Sequence, residues 1–109
     1  MIDGAARSEG VWRMIQRHSA SVSFDRAGVA LAAQTVRLAY DNTQLTSRGE
    51  VGQATERKLV ILGVRDHPTI ADTDIRAGDR FAIGKALYEV FDVIVLPGSV
   101  QAFASRLAK

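Results

Sequence analysis

The chain lacks cysteine altogether, which excludes disulfide bonds, thiolate metal sites and cysteine nucleophiles. It also lacks a long apolar run, since the strongest one, Val93–Leu96, is far too short to span a bilayer. The first seven residues contain no apolar segment of the kind that a signal peptide needs, so we expect no signal peptide. These absences favour a protein that works without thiol chemistry and without a membrane.

A concentrated basic stripe is missing as well. The 14 basic and 12 acidic residues are interleaved and give a net charge of +2, so charge alone does not predict strong binding to nucleic acid. A chain of 109 residues fits one domain, which we place over residues 1–109. A domain of this size buries roughly 60–70% of the surface of its unfolded chain, which is enough for one modest core.

The sequence offers no recognisable catalytic or nucleotide-binding motif. The phosphate-loop patterns GxxxxGK[ST] and GxGxxG and the serine elbow GxSxG are all absent. His18 and His67 could act as general bases, but we interpret them as exposed or turn histidines. One acidic stretch could hold a divalent ion, yet turns require the same residue types: Asp66, His67, Asp72, Asp74 and Asp79. We therefore predict no enzyme activity, no metal site and no cofactor.

Alternating apolar and polar residues predict short strands joined by turns. Such alternation places every second side chain on one face, as Val22 and Phe24 show. Runs of this kind lie at 21–26, 35–40, 57–65, 80–83, 87–96 and 99–104. Five to six short strands at close spacing are typical of a small antiparallel β-barrel or sandwich. We therefore expect a mostly β fold of that size.

Details within these runs predict how the strands are arranged. The run 57–65 is apolar on both faces, so we expect it to be central and covered on both sides. In the run 87–96 the apolar phase shifts near Phe91, which predicts a β-bulge at Phe91–Asp92. Gly84-Lys85 and Pro97-Gly98 are turn signals. The stretch 69–78 is a polar connection with room for one short turn of helix.

The N-terminal segment is harder to interpret. Residues 1–10 are small and polar, so we expect them to be mobile or ordered by a partner, and we treat 1–14 as an N-terminal extension. Residues 11–17 fit either a short helix or the start of the first strand. Trp12 lies in this segment and could anchor against another subunit, with Arg13 and Arg17 beside it.

Residues 41–56 form one long polar stretch without helical or strand periodicity. A loop of that length in a small domain is either functional or disordered. The basic residues Arg7, Arg13, Arg17 and Arg48 could touch phosphates or an acidic partner, or could simply be solvated. The aromatic residues of the strands are expected in the core: Phe24, Tyr40, Phe81, Tyr88, Phe91 and Phe103.

The C-terminal half resembles the head-closure proteins of tailed phages, which are also called stoppers or head–tail connectors. The similar features are the turn Gly78-Asp79-Arg80 into a strand, a glycine hairpin, a strand with Tyr88-Glu89-Val90, and a final strand from Gly98 to Ala102. The strand 34–38 and the long polar loop also match that layout. The resemblance spans roughly residues 15–105 and rests on the order and spacing of these features.

The resemblance implies a virion protein that is assembled in the host cytoplasm and forms a homo-oligomeric ring, six-fold or twelve-fold, in the neck. Its expected neighbours are a portal–adaptor protein on the head side, a tail terminator or tail tube protein on the tail side, and packaged double-stranded DNA in the lumen. A tail-terminator or tail-completion ring and a small nucleic-acid-binding β-barrel remain alternatives. The channel-facing role falls on the long loop: Asn42, Gln44, Thr46, Ser47, Arg48, Glu50 and Gln53.

Overall fold

The computed structural model of the chain describes residues 4–41 and 58–107. One helix precedes eight antiparallel strands that form a single curled sheet, a half-barrel, in the order β1-β4-β5-β8-β7-β6-β2-β3. The elements are α1 (Gly4–Arg17), β1 (Ser19–Val22), β2 (Asp25–Arg26), β3 (Val29–Ala30), β4 (Gln34–Asp41), β5 (Lys58–Val64), β6 (Arg80–Ile83), β7 (Ala86–Leu96) and β8 (Ser99–Arg106). The predicted mostly β class is confirmed, but eight strands exceed the expected five to six.

The extra strands arise because one long hairpin is bent and interrupted. Residues 21–26, predicted as one strand, divide into the end of β1 and all of β2. The β2–β3 turn has Ala27 and Gly28 at φ of 54° and 86°, the positive values that a tight two-residue hairpin turn requires. Beyond β3, the Leu31 N–H donates a hydrogen bond to the Phe24 carbonyl at 2.8 Å. This bond connects the β2–β3 pair with the β1–β4 pair. Thus β1 with β2, and β3 with β4, act as two bent arms of one ribbon.

The central part of the sheet follows the sequence pattern closely. β5 pairs with β4 on one side and with β8 on the other, as expected for the run that is apolar on both faces. The β7–β8 register shifts between Val90 and Asp92, which confirms the predicted bulge. Both predicted turns join the strands they were expected to join, β6 to β7 and β7 to β8.

The inner, concave face of the sheet holds the core. Leu59, Ile61 and Val90 are each 1% exposed there. The Phe81 ring meets the Phe24 ring edge-on at a centroid distance of 5.4 Å and stacks on the Tyr88 ring at 5.5 Å. Edge-to-face and offset pairs of this kind add to the stability from apolar burial.

Two of the aromatic residues that we expected in the core are not buried. Tyr40 and Phe91 are both 47% exposed. Phe91 is exposed because it occupies the bulge, where strand alternation no longer fixes its face. Tyr40 is the penultimate residue of β4, and its hydroxyl lies 3.2 Å from that of Tyr88. Phe103, the remaining strand aromatic, is half-buried.

The N-terminal segment forms α1, which corrects the expectation of a mobile segment for the residues from Gly4 onward. The helical alternative for 11–17 is confirmed, although the helix begins earlier. Ser8 and Ile15 are fully buried and lie seven residues apart, so they share one helical face. α1 packs on the outer face of the sheet, over β5, β4 and β8. It therefore provides the second cover of the central strand.

The connection from Arg65 to Asp79 runs as extended chain and turns, without the short helix that the sequence left open. It packs tightly on the sheet, because a Cβ atom built on Gly63 would lie 2.5 Å from Thr73 side-chain atoms. The Thr73 hydroxyl accepts a hydrogen bond from the Val64 N–H at 2.9 Å. Ile75, 7% exposed, belongs to the core. The connection is therefore an integral layer of the domain.

Gly98, in the β7–β8 turn, should be essential for docking of α1. Its φ is +84°, and an added Cβ would lie 2.6 Å from the Arg7 Cβ and 2.8 Å from the Ser8 nitrogen. Gly28 is the matched control, since its φ is +86° and nothing lies within 4 Å of an added Cβ. We expect Gly28→Ala to cost about 1–2 kcal/mol from the left-handed backbone alone, and Gly98→Ala to cost clearly more.

Unfolding in urea measures both costs. The fluorescence of Trp12, the single tryptophan of the chain and a residue of α1, reports helix docking separately. A red shift of the native-state emission in Gly98→Ala but not in Gly28→Ala is expected. Equal destabilisation of the two variants, with unchanged emission, would contradict the close contact between the turn and α1.

Candidate functional site

The outer face of the sheet carries apolar side chains that α1 covers only in part. Residues directly opposite in neighbouring antiparallel strands share a face, so the register aligns Val60 with Phe103 and aligns Leu62, Gln101 and Ile94 in the next row. We call this surface the outer patch: Met14, Ala39, Val60, Leu62, Phe91, Ile94, Leu96 and Phe103. Four of its side chains, Met14, Phe91, Ile94 and Leu96, are between 40% and 47% exposed.

A groove of about 230 Å³ lies within the outer patch, beside the C-terminal half of α1. Its lining is mostly apolar and consists of Met14, Arg37, Ala39, Val60, Leu62 and Gln101. Arg37 supplies the charge of this lining, and its Nη1 donates a long hydrogen bond of 3.5 Å to the Met14 carbonyl. An exposed apolar surface with a polar border is typical of a contact site for another macromolecule.

Lys58, the first residue of β5, lies at one end of the outer patch. Its Nζ lies 5.8 Å from the centroid of the Phe91 ring, within the range of a cation–π contact. Asp41 and Lys58 are the last paired residues of β4 and β5. The residues that we predicted to face a channel lie between them, outside the described residues: Asn42, Gln44, Thr46, Ser47, Arg48, Glu50 and Gln53.

The three residues predicted to contact a subunit or neighbour all lie on α1. Arg13 and Arg17 are exposed, as such a role requires. Trp12 is half-buried, and its ring meets the His67 ring edge-on with a centroid distance of 6.2 Å. Trp12 therefore packs, at least in part, against its own chain, while the role of all three in assembly stays a prediction.

His67 serves as the hydrogen-bonding centre of the turn after β5. Its Nδ1 accepts hydrogen bonds from the Thr69 and Ile70 N–H groups, both at 3.1 Å, so the ring proton of the neutral form sits on Nε2. Nε2 is buried, and the nearest Glu9 oxygen is 3.6 Å away. His67 therefore stabilises the turn through these hydrogen bonds, in agreement with its interpretation as a turn histidine. Its ring also faces α1. His18, in contrast, is exposed.

Arg26 forms the strongest polar cluster of the domain, with Asp74 and Asp79. Its Nε and Nη2 donate to the two oxygens of Asp79 at 2.9 and 2.8 Å, and its Nη1 and Nη2 donate to Asp74 at 3.3 and 3.0 Å. Asp79 is 1% exposed and also accepts a hydrogen bond from the Arg76 N–H at 2.9 Å. Gln34 exchanges two hydrogen bonds with the Asp74 backbone, at 2.8 and 2.7 Å. The cluster therefore connects β2, β4 and the 65–79 connection.

The electrostatics of this cluster favour both charged forms. Burial raises the pKa of the Asp79 carboxyl, but the hydrogen bonds from Arg26 and Arg76 and the charges of these arginines lower it more. The pKa of Asp79 therefore lies below its ordinary value of 3.8. The hydrogen bonds to Asp79 and Asp74 raise the pKa of Arg26 further above its usual range. This pairing could not be predicted from local patterns, because Arg26 lies 48 and 53 residues away from its partners.

The acidic residues considered for a divalent ion are dispersed among other contacts. Asp74 and Asp79 are paired with Arg26, and an Asp72 oxygen accepts a hydrogen bond from the Asp66 N–H at 2.9 Å. Within the described ranges 4–41 and 58–107, no three His, Asp or Glu side chains come together in a geometry that could hold a metal ion. No helix of these ranges is long and apolar enough to cross a membrane.

Comparison with protein families, with curated proteins and with solved structures finds no match for this chain. A functional proposal therefore rests on the geometry above and on the resemblance in the sequence. Of that geometry, the outer patch is the feature that packing within the described chain does not explain. Sequence reasoning missed the outer patch because its members come from four strands and the helix, and the register that aligns them is visible only after folding.

Asp79 should make the stability of the domain sensitive to acid. A group whose pKa is lowered on folding stabilises the native state above its unfolded pKa, and this stabilisation is lost as the pH falls through the folded value. We expect Asp79→Asn to lower the free energy of unfolding at pH 7 by about 1–3 kcal/mol, because it leaves part of the Arg26 guanidinium unpaired.

The difference between wild type and Asp79→Asn should shrink as the pH falls below about 3.8, because the unfolded wild type then takes up a proton at Asp79 more readily than the folded protein, whose ion pair is lost only at the lower, folded pKa. Urea unfolding between pH 2.5 and 7 measures it. Asp25→Asn is the control, because Asp25 is exposed and lies on the same strand as Arg26. A gap between wild type and Asp79→Asn that is constant over this range would refute the lowered pKa.

Because His67 accepts hydrogen bonds in the turn, two substitutions of this residue should differ in their effect on stability. His67→Asn places a side-chain oxygen where Nδ1 lies and should keep the bonds to Thr69 and Ile70. His67→Leu leaves both N–H groups without that acceptor and should be less stable than His67→Asn by about 1–3 kcal/mol. Thermal unfolding compares the two variants. If both lose the same stability, packing of the ring against Trp12 matters more than its hydrogen bonds.

Proposed function

We propose that the protein is a structural component of a tailed-phage neck, which assembles as a homo-oligomeric ring between the portal–adaptor complex and the tail. The observation that carries the proposal is the outer patch, since a small folded domain with an apolar face left open is suited to contact a neighbouring protein. The resemblance of residues 15–105 to head-closure proteins names the kind of neighbour. The curled β-sheet is compatible with the small barrel that this family implies.

The path of the chain also supports the proposal. Asp41 and Lys58, which flank the residues outside the described ranges, are paired neighbours at the end of the β4–β5 ladder. The two flanking residues therefore lie side by side, which is compatible with the proposed loop between them. In the proposed ring this segment lines or closes the lumen that holds the packaged DNA, and the outer patch provides an attachment surface for the adaptor or the tail.

A tail-terminator or tail-completion ring would use the same surfaces and differs in its place along the neck. Labelling the protein in intact virions and imaging them by electron microscopy separates these two roles. The alternative from another class, a nucleic-acid-binding barrel, predicts tight binding to free DNA with a steep salt dependence. A titration with double-stranded DNA at low salt that shows no binding would remove that alternative.

Two neighbouring residues of β7 provide a matched test of the outer patch. Ile94 lies on the outer face, opposite Gln101, whereas Val95 lies opposite Val100 on the inner side. Both are exposed, at 41% and 54%, so a lysine is tolerated by the fold at either position. We expect Ile94→Lys to reduce incorporation of the protein into phage particles at least tenfold and Val95→Lys to leave incorporation near wild type.

Incorporation is measured by complementing a phage that lacks the gene and by counting DNA-filled particles with attached tails. Circular dichroism and thermal unfolding confirm that both variants fold. Normal particles without the protein, or a protein that remains a monomer and never joins a portal or tail complex, would overturn the neck assignment. Equal incorporation of the two lysine variants would remove the outer patch from the attachment surface.

A further inference from the structure

Two edges of the bent β1–β4 ribbon lack a strand partner in the described part of the chain. β1 pairs with β4 on one side and stands at one end of the sheet order, and β3 pairs with β2 and stands at the other end. The unpaired N–H and C=O groups of an edge strand are a template for another strand. The two edges lie on opposite sides of the same two-stranded ribbon.

The composition of these edges is unusual for a protein that works as a monomer. Monomers usually protect an edge strand with a charged residue such as lysine, with proline or a bulge, or by keeping the strand short. Here β1 reads Ser-Ala-Ser-Val, and the segment that follows the β2–β3 turn, residues 29–33, reads Val-Ala-Leu-Ala-Ala. Neither contains a charge or a proline.

The exposure of residues 29–33 adds to this argument. Val29 is 63% exposed although it is a large apolar side chain, and Ala30, Ala32 and Ala33 are exposed as well. The register places Val29 opposite Arg26, which reaches the buried Asp79, so Val29 lies on the same, inner side of the ribbon. It stays exposed because the sheet ends there. One more strand along this edge would cover it.

We propose that the β1 edge of one copy pairs with the edge formed by residues 29–33 of the next copy, so that the ribbons join into a continuous β belt. A second copy is the occupant that fits, because one chain carries both uncharged edges and head-to-tail pairing satisfies both in every copy. A foreign strand would satisfy one edge and leave the other open. Contacts of this heterologous kind close into a ring when the rotation per subunit permits.

This inference rests on the proposed ring for its biological role, but its contact can be tested alone. The chain has no cysteine, so single introduced cysteines report one contact each. Ser21 and Ala30 are exposed, and the register places both on the outer side of the ribbon, Ser21 opposite Thr35 and Ala30 opposite Asp25. In the antiparallel register that we propose, Ser21 of one copy lies opposite Ala30 of the next, and cysteines at such opposed positions come within disulfide range.

The experiment mixes Ser21→Cys with Ala30→Cys at a concentration where the wild type assembles, and oxidises the mixture. We expect a disulfide-linked dimer of the two variants, identified by mass spectrometry, with at least fivefold less dimer in either variant alone. Dimers of Ser21→Cys alone at the same yield would indicate symmetric β1–β1 pairing and overturn the proposal. Absence of cross-linking in a sample that assembles would also overturn it.

Lysine substitutions give an independent measurement. Ser21→Lys or Ala30→Lys adds a charge to one edge and should lower the assembled fraction in light scattering at least tenfold. Ala71→Lys is the control, because Ala71 is exposed on the connection and belongs to neither edge. Assembly of both edge variants at the wild-type level would reject the belt while leaving the neck role intact. Edge pairing in a protein that never enters phage particles would instead reject the neck role alone.

Discussion

The ion pairs of Arg26 are the interaction on which the rest of the domain depends. The sheet is a half-barrel, so strand pairing alone leaves its concave side open, and the 65–79 connection has to cover the core there. Arg26 holds that connection at Asp74 and at Asp79, and Gln34 fixes the Asp74 backbone from β4. The connection held in this way carries Ile75, which is a residue of the core. A buried aspartate is tolerated because both its oxygens are hydrogen-bonded by a guanidinium.

The same arrangement explains why α1 docks where it does. The connection begins with the turn at His67, which meets Trp12 and faces Glu9, and the Asp66 carbonyl accepts a hydrogen bond from the buried Ser8 hydroxyl at 3.3 Å. Gly98 presses against the same part of the helix from the β7–β8 turn. The helix is thus held along its length, from Ser8 to Ile15, which are both fully buried, and it covers only part of the outer face, so that the outer patch remains open beside its C-terminal half.

What the sequence could predict was local. The alternation of Tyr88 and Val90, the bulge after Val90 and the glycine turns follow from nearest-neighbour geometry, and all of them are present. The start of α1 at Gly4 was missed, because small polar residues give a weak helical pattern and Ser8 is buried only through tertiary contact. The ribbon bend at residues 23–24 was missed because Val22 and Phe24 continue the alternation through it. The ion pairs of Arg26 could not be predicted, because their partners come close only when the chain is folded.

The bend in the ribbon also limits what an assembly of this chain can look like. β1 and β2 belong to one arm but pair with strands at opposite ends of the sheet, so the bend at residues 23–24 sets the angle between the β1 edge and the edge at residues 29–33. In head-to-tail pairing that angle becomes the rotation from one copy to the next. A rigid angle gives a ring of fixed size, whereas a loose one gives open chains. The Arg26 cluster holds β2 against the connection and β4, and it therefore fixes the angle as well as the core.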